Sequence, residues 1–299
     1  MIKQFQMMLK KEDLAESTIQ GYSSDMLAFN NWVSDIRKSS VTVEEIDIID
    51  IKAYRQYLVE KTRKKSSSVN RRIQSLKRFF NWAIDKRLIK INPAKDIRFM
   101  RRSSPTSPQS LSKNEVHAML RLSGKSSHGL ATRNYALLQI MLQAGLRIGE
   151  VVNLQVRDLV IYERKGSIRI VEGKGLKERL IPMNATLRRA INRLLKMREM
   201  LTPEAPVFLS TRGTKLTIRA AQKSVDGIVR KAKINKKSIS AHTLRHTFAT
   251  NYLKANPGQL GELASLLGHA CLDTTALYTK PSEADLSESI EKIELNIYE

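Results

Sequence analysis

From Ser17 onward apolar residues return at helical spacing: Ile19, Tyr22, Met26, Phe29, Trp32, Val33 and Ile36 form one stripe. Ser17 and Thr18 carry side-chain oxygens able to satisfy the first free backbone N–H groups, so they are the expected caps of that helix. A second helix is expected over residues 51–60 and a third over residues 68–85. In the third, Val69, Ile73, Leu76, Phe80, Ala83 and Ile84 turn inward, and Arg71, Arg72, Lys77 and Arg78 turn outward. Asn92-Pro93 closes this unit, because proline restricts the residue before it and cannot continue a helix.

The pattern changes at RRSSPTSPQS, residues 101–110. Prolines, serines and arginines bury no core, so this stretch is an expected linker between a helical domain of residues 1–100 and a second domain of residues 111–299. The second domain opens on Ser112-Lys-Asn-Glu115, a capping-box pattern ahead of Val116, Met119 and Leu120. One β-rich region follows, residues 156–183, where two β-branched runs (167–171 and 179–183) flank Gly173-Lys174-Gly175 and predict a hairpin. After Asn184 the chain reads as short helices. The fold class expected is mainly α with a small antiparallel β-sheet.

Charge narrows the function. The 299 residues carry 52 Lys and Arg against 29 Asp and Glu, a formal charge of +23. About +10 of this falls in residues 1–102. Such a field concentrates polyanions, and nucleic acid or an anionic membrane are the partners to weigh. The apolar stretch 136–146 is broken by Gln139 and Gln143 and is too short to span a bilayer, and the first residues lack a secretory h-region, so no membrane role is expected. A lone cysteine, Cys271, excludes an internal disulfide framework and fits a reducing cytoplasm.

Four clusters in the second domain are candidates for chemistry, each ambiguous alone. Arg147 lies after a glycine at the join of two helical segments, and is either a reactive-site cation or a structural partner of Glu150. Lys174 stands on the hairpin tip, where a solvated turn lysine is the plain alternative. His242 and Arg245, three apart, share a helical face. His269 precedes Tyr278 by nine residues, and a tyrosine there is more often filler than nucleophile. His242 and His246 lie four apart as in some zinc helices, but no glutamate follows His242 and Arg245 adds positive charge beside any cation, so no metal is expected. Jointly the clusters suit metal-free phosphodiester transfer. Two arginines clamp the charge developing on the non-bridging oxygens, a tyrosine attacks, and a lysine or histidine protonates the departing oxygen.

The segments Gly145-Leu-Arg147-Ile-Gly-Glu150, Gly173-Lys174-Gly175 through Arg179, His242-Thr-Leu-Arg245-His-Thr-Phe-Ala-Thr250, and Leu267-Gly-His269 through Tyr278 together resemble the catalytic domain of tyrosine recombinases, in the family's order, across residues 111–280. The first domain is similar to that family's SAM-like core-binding domain. The resemblance implies a two-domain recombinase that cuts and rejoins DNA through a 3′-phosphotyrosyl bond, without cofactor or ATP. By it, Arg147 and Arg245 stabilise the transition state, Lys174 is the acid, His242 and His269 share proton transfer, and Tyr278 attacks. Glu150 supports the arginine Arg147, while His246 is expected to be a packed core histidine. Arg71, Arg72, Lys77, Arg101, Arg102, Lys177 and Arg179 are the expected DNA contacts. The implied partners are a double-stranded site with inverted repeats and further copies of the chain, two per site and four in a synapse, in the cytoplasm at the nucleoid. Leu286, Ile290, Ile293 and Ile297, at helical intervals, imply a tail docked on a neighbouring subunit. The implied setting is resolution, integration or transposition. A type IB topoisomerase, or a DNA-binding protein without catalysis, are the alternatives; the latter leaves Lys174, His269 and Tyr278 without a role.

Overall fold

The computed structural model describes residues 1–12, 14–101, 108–124, 129–172, 177–198, 200–236, 239–269, 271–279 and 290. Lys174, Arg102, most of the expected linker and the tail beyond Thr279, apart from Ile290, lie outside the described residues, as does the side chain of Lys177. The chain divides into two compact units, Met1–Pro105 and Thr106–Glu299.

The first unit is helical: α1 (Ile2–Lys11), α2 (Glu16–Arg37), α3 (Ile48–Glu60) and α4 (Ser66–Asp85). Its core gathers Phe5, Leu9, Met26, Phe29, Tyr54, Ile73, Leu76, Phe80 and Trp82. Aromatic rings meet edge to face there, as between Phe5 and Phe79 at 5.3 Å. Helix α1 has no counterpart in the sequence reading. Its two buried anchors, Phe5 and Leu9, are spaced by a single helical turn, too short a stripe to be read as periodic. The expected caps of α2 are displaced: the helix starts at Glu16 with Ala15 as cap and no side-chain cap bond, so Ser17 and Thr18 lie in its first turn. Ile36, expected in the stripe, is 61% exposed near the helix end. Helix α3 begins three residues earlier than expected because Asp47 caps it, accepting from the backbone N–H groups of Ile49 and Asp50. Asn92 is buried and bonds Lys77, Asn81 and Ala94, and Asn70 holds Met100 through both its backbone groups.

In the second unit α5 (Lys113–Gly124) begins with the expected box: Ser112 Oγ accepts from Glu115 N, and Glu115 Oε2 accepts from Ser112 N. Helix α6 (Gly129–Ala144) is the axis of the unit and is buried nearly all round, with Leu137, Ile140 and Met141 in the core. Next come α7 (Ile148–Asn153) and a three-stranded antiparallel sheet in the order β1 (Leu159–Ile161), β2 (Gly166–Glu172) and β3 (Lys177–Pro182). Residue alternation buries Ile168, Ile170 and Ile181 and exposes Val171 and Leu180. Helices α8 (Ala185–Leu195), α9 (Ile218–Lys231), α10 (Ala241–Ala255), α11 (Leu260–Leu267) and α12 (Leu272–Ala276) complete it. Helices α5, α8, α9 and α10 all pack on α6.

Candidate active site

The site assembles where α6 ends. Gly145 adopts φ +63°, a left-handed turn that L side chains resist, and a Cβ there would fall 2.3 Å from a ring carbon of Phe248. This turn aims the Gly145 carbonyl at α10 and releases the chain into α7, with Arg147 as its first flanking residue. Glu150 folds back to accept from Arg147 N at 2.7 Å and from Arg147 Nη1 at 2.8 Å. Arg147 Nη2 reaches Gly268 O at 3.0 Å, while 39% of the side chain remains exposed.

Arg245, on α10, is 1% exposed. Its Nη1 donates to Gly145 O at 2.8 Å, and its Nη2 donates to Leu267 O at 2.7 Å and to His269 Nε2 at 3.0 Å. Burial first, then the nearby Arg147, pushes its pKa down to about 10, which keeps it a cation at neutral pH. A guanidinium can only donate, so Nε2 of His269 is the acceptor and the ring proton sits on Nδ1, 2.8 Å from Thr275 Oγ1. Burial, then Arg245 and Arg147, pushes the His269 pKa down to about 4. His242 is lowered in the same way by burial, Arg245 and Arg147.

Tyr278 follows α12, its ring against the small cluster of Phe248, Ala249, Leu263 and Leu267. Burial raises its pKa, opposed by the charge of Arg245. Its hydroxyl lies 2.6 Å from His246 Nδ1. His246 therefore differs from expectation. It is only half-buried and faces the phenol, because α10 turns it to the same side as His242.

Arg179, expected as a DNA contact, has 12% of its side chain exposed and donates to Glu150 Oε2 at 2.9 Å and Leu266 O at 3.0 Å. A carboxylate as buried as Glu150 is costly unless it is paired and hydrogen-bonded. Burial works against its charge, but Arg179 and the bonds from Arg147 hold its pKa below the ordinary carboxylate value. Sequence reasoning had no signal for this pair, since 29 residues separate its members.

Among the expected DNA contacts in the first unit, Arg71 pairs with the buried Asp25, and Arg72 bonds Tyr54 Oη at 2.8 Å and lies 3.8 Å from Asp25. Lys77 bonds Lys95 O at 2.9 Å over the Phe99 ring. Arg71 keeps 56% of its side chain exposed, and Arg101 is exposed. Among the described residues no group of three or more His, Cys, Asp or Glu is placed to hold a metal, and no helix is long and apolar enough to cross a membrane.

Residues 109–285 match the family model described as the phage integrase family, and residues 2–87 match that of the phage integrase N-terminal SAM-like domain. A tyrosine recombinase XerC from Pelobacter propionicus is 32% identical over 293 residues, spanning 97% of this chain and 94% of the relative. The crystal structure of XerA recombinase is similar at TM-score 0.55 and 27% identity, covering 97% of this chain and 96% of that one. XerH site-specific recombinase, in a post-cleavage complex with a palindromic difH substrate, has the same fold at TM-score 0.73 and 24% identity, covering 92% and 79%.

Proposed function

This chain belongs to the phage integrase family of tyrosine recombinases, enzymes of site-specific DNA recombination, and on that premise we propose that Tyr278 is its nucleophile. The phenolic oxygen attacks a strand phosphate, the P–O5′ bond breaks, and a 3′-phosphotyrosine and a 5′ hydroxyl result. The ester conserves the bond energy, so rejoining is the same step reversed and needs no nucleotide. Arg147 and Arg245 hold the non-bridging oxygens as charge develops on them, a role that metal ions fill elsewhere. Lys174 protonates the 5′ oxygen, and His242 and His269 assist by hydrogen bonding and proton transfer.

The observation that carries this reading is the convergence of residues distant in sequence. Arg245 bonds the turn before Arg147 on one side and His269 on the other, and Tyr278 lies one ring away across His246. Glu150, bonded to both Arg147 and Arg179, fixes the exposed guanidinium in place. The partner is a double-stranded site with inverted halves, each half taken by one protomer. Two protomers fill a site and four form the synapse, with the apolar tail around Ile290 docking on a neighbour. The setting is resolution or integration of a mobile element or replicon.

The test is a denaturing gel on suicide substrates, which trap the covalent state. Tyr278→Phe should bind its site like wild type and form no adduct, and wild type should cleave in excess EDTA. A persistent adduct in the variant removes Tyr278 from the role.

A further inference from the structure

The contact between His246 and Tyr278 has a direction. The phenol oxygen lies 2.6 Å from Nδ1, and no second hydrogen bond to either group is present among the described residues. A phenol is a good donor and a weak acceptor, whereas a neutral imidazole offers one bare nitrogen. His246 is held neutral by its surroundings. Burial comes first, then His242 on its own helix, edge-on at 4.6 Å, then Arg245 and the His269 ring beyond α11, which together push its pKa down to about 4. With the ring proton on Nε2, Nδ1 accepts the O–H of Tyr278.

We propose that His246 is the proton acceptor for Tyr278 during strand cleavage and returns that proton during rejoining. The proposal rests on Tyr278 being the nucleophile. In the resting state the transfer runs uphill, since a phenol of raised pKa faces a weak base. Attack alters both partners. As the phenolic oxygen bonds to phosphorus its O–H becomes strongly acidic, and the incoming phosphate brings negative charge beside Arg245, the cation that adds to burial in keeping the imidazole neutral. The proton moves as the O–P bond forms, which is general-base catalysis in timing as well as geometry. The balance is complete. The Oη–H proton goes to Nδ1, the electron pair of the broken P–O5′ bond goes to the 5′ oxygen, and that oxygen takes its proton from the separate acid. In the reverse step the imidazolium reprotonates the leaving phenolate.

The experiment separates base from acid with two substrates, one natural and one with sulfur replacing the bridging 5′ oxygen. A thiolate departs without a proton, so the sulfur substrate relieves any loss of acid and no loss of base. His246→Asn keeps an oxygen near the place of Nδ1 but cannot carry a proton at neutral pH. Its rate of adduct formation should fall roughly a hundredfold or more on both substrates. Lys174→Ala should fall on the oxygen substrate and recover on sulfur. Between neutral and alkaline pH the His246→Asn rate should climb about tenfold per unit, as the phenol ionises unaided. Adduct formation within threefold of wild type, or recovery on sulfur, overturns the proposal. So does a collapse of melting temperature and half-site binding in both His246→Asn and His246→Gln, which would return the ring to a packing role. An adduct in Tyr278→Phe would instead refute the underlying nucleophile assignment.

Discussion

Arg147 and Arg245 carry the same charge in different settings, and the difference is testable. Arg245 is fully buried and supplies the donors for two main-chain carbonyls, Gly145 O and Leu267 O. Arg245→Ala strands those carbonyls and should lower stability by about 1–3 kcal/mol. Arg147 keeps 39% of its side chain exposed, and its partner Glu150 retains Arg179. Arg147→Ala should therefore change stability by less than about 1 kcal/mol. Cleavage should drop on the order of a hundredfold in either case, as for loss of one preorganised charge-stabilising donor. Thermal melting beside single-turnover cleavage checks both. An Arg147 variant that cleaves within threefold of wild type would reduce that residue to a partner for Glu150.

At the scale of elements, the junction of α10, α11 and α12 concentrates histidines among fixed cations, and this gives it a pH dependence. His246 and His269 both have folded pKa values near 4, below the ordinary 6.5. Between those values the unfolded chain takes up protons that the folded junction refuses, so stability falls as pH drops through this window. Above about 6.5 neither state binds them and the contribution is complete; below about 4 it is lost. Denaturant titrations of wild type from pH 8 to pH 4 should show the decline, and His246→Asn should flatten part of it. A parallel decline in that variant would place the effect elsewhere in the molecule. The turn at Gly145 belongs to the same scale. Its positive φ and its contact with Phe248 tie the start of α7 to α10, so the two arginines are aligned by one backbone turn.

For the whole molecule the governing quantity is the charge of +23. Part of it is consumed internally, as by Arg71 on Asp25 and Arg179 on Glu150. The exposed remainder should neutralise several phosphates and release their counterions. DNA affinity should then fall about a thousandfold or more between roughly 50 and 200 mM salt. Half-site binding measured across that range checks it, and a salt-insensitive complex would contradict the picture.

The sequence by itself determined the elements with long stripes, such as α2 and α4, and the two neighbouring strands β2 and β3, because hydrophobic period and β-branched runs are local. The box at Ser112 was legible for the same reason, since its partners lie three residues apart. The motifs around Arg147, Arg245, His269 and Tyr278 marked a candidate site, because each segment carries its chemical groups within a few residues. Only the tertiary structure decided what those segments touch. Arg179 reads as one more surface cation until β3 carries it to a buried carboxylate 29 positions away. His246 reads as core until α12, beyond the turn at Gly268, returns the Tyr278 hydroxyl to its ring from 32 residues downstream. Helix α1 is held by Phe5 and Leu9 in a pocket made by other helices. Hydrogen bonds and burial of this kind depend on which surfaces packing brings within a few ångströms, and nothing in local spacing encodes that distance.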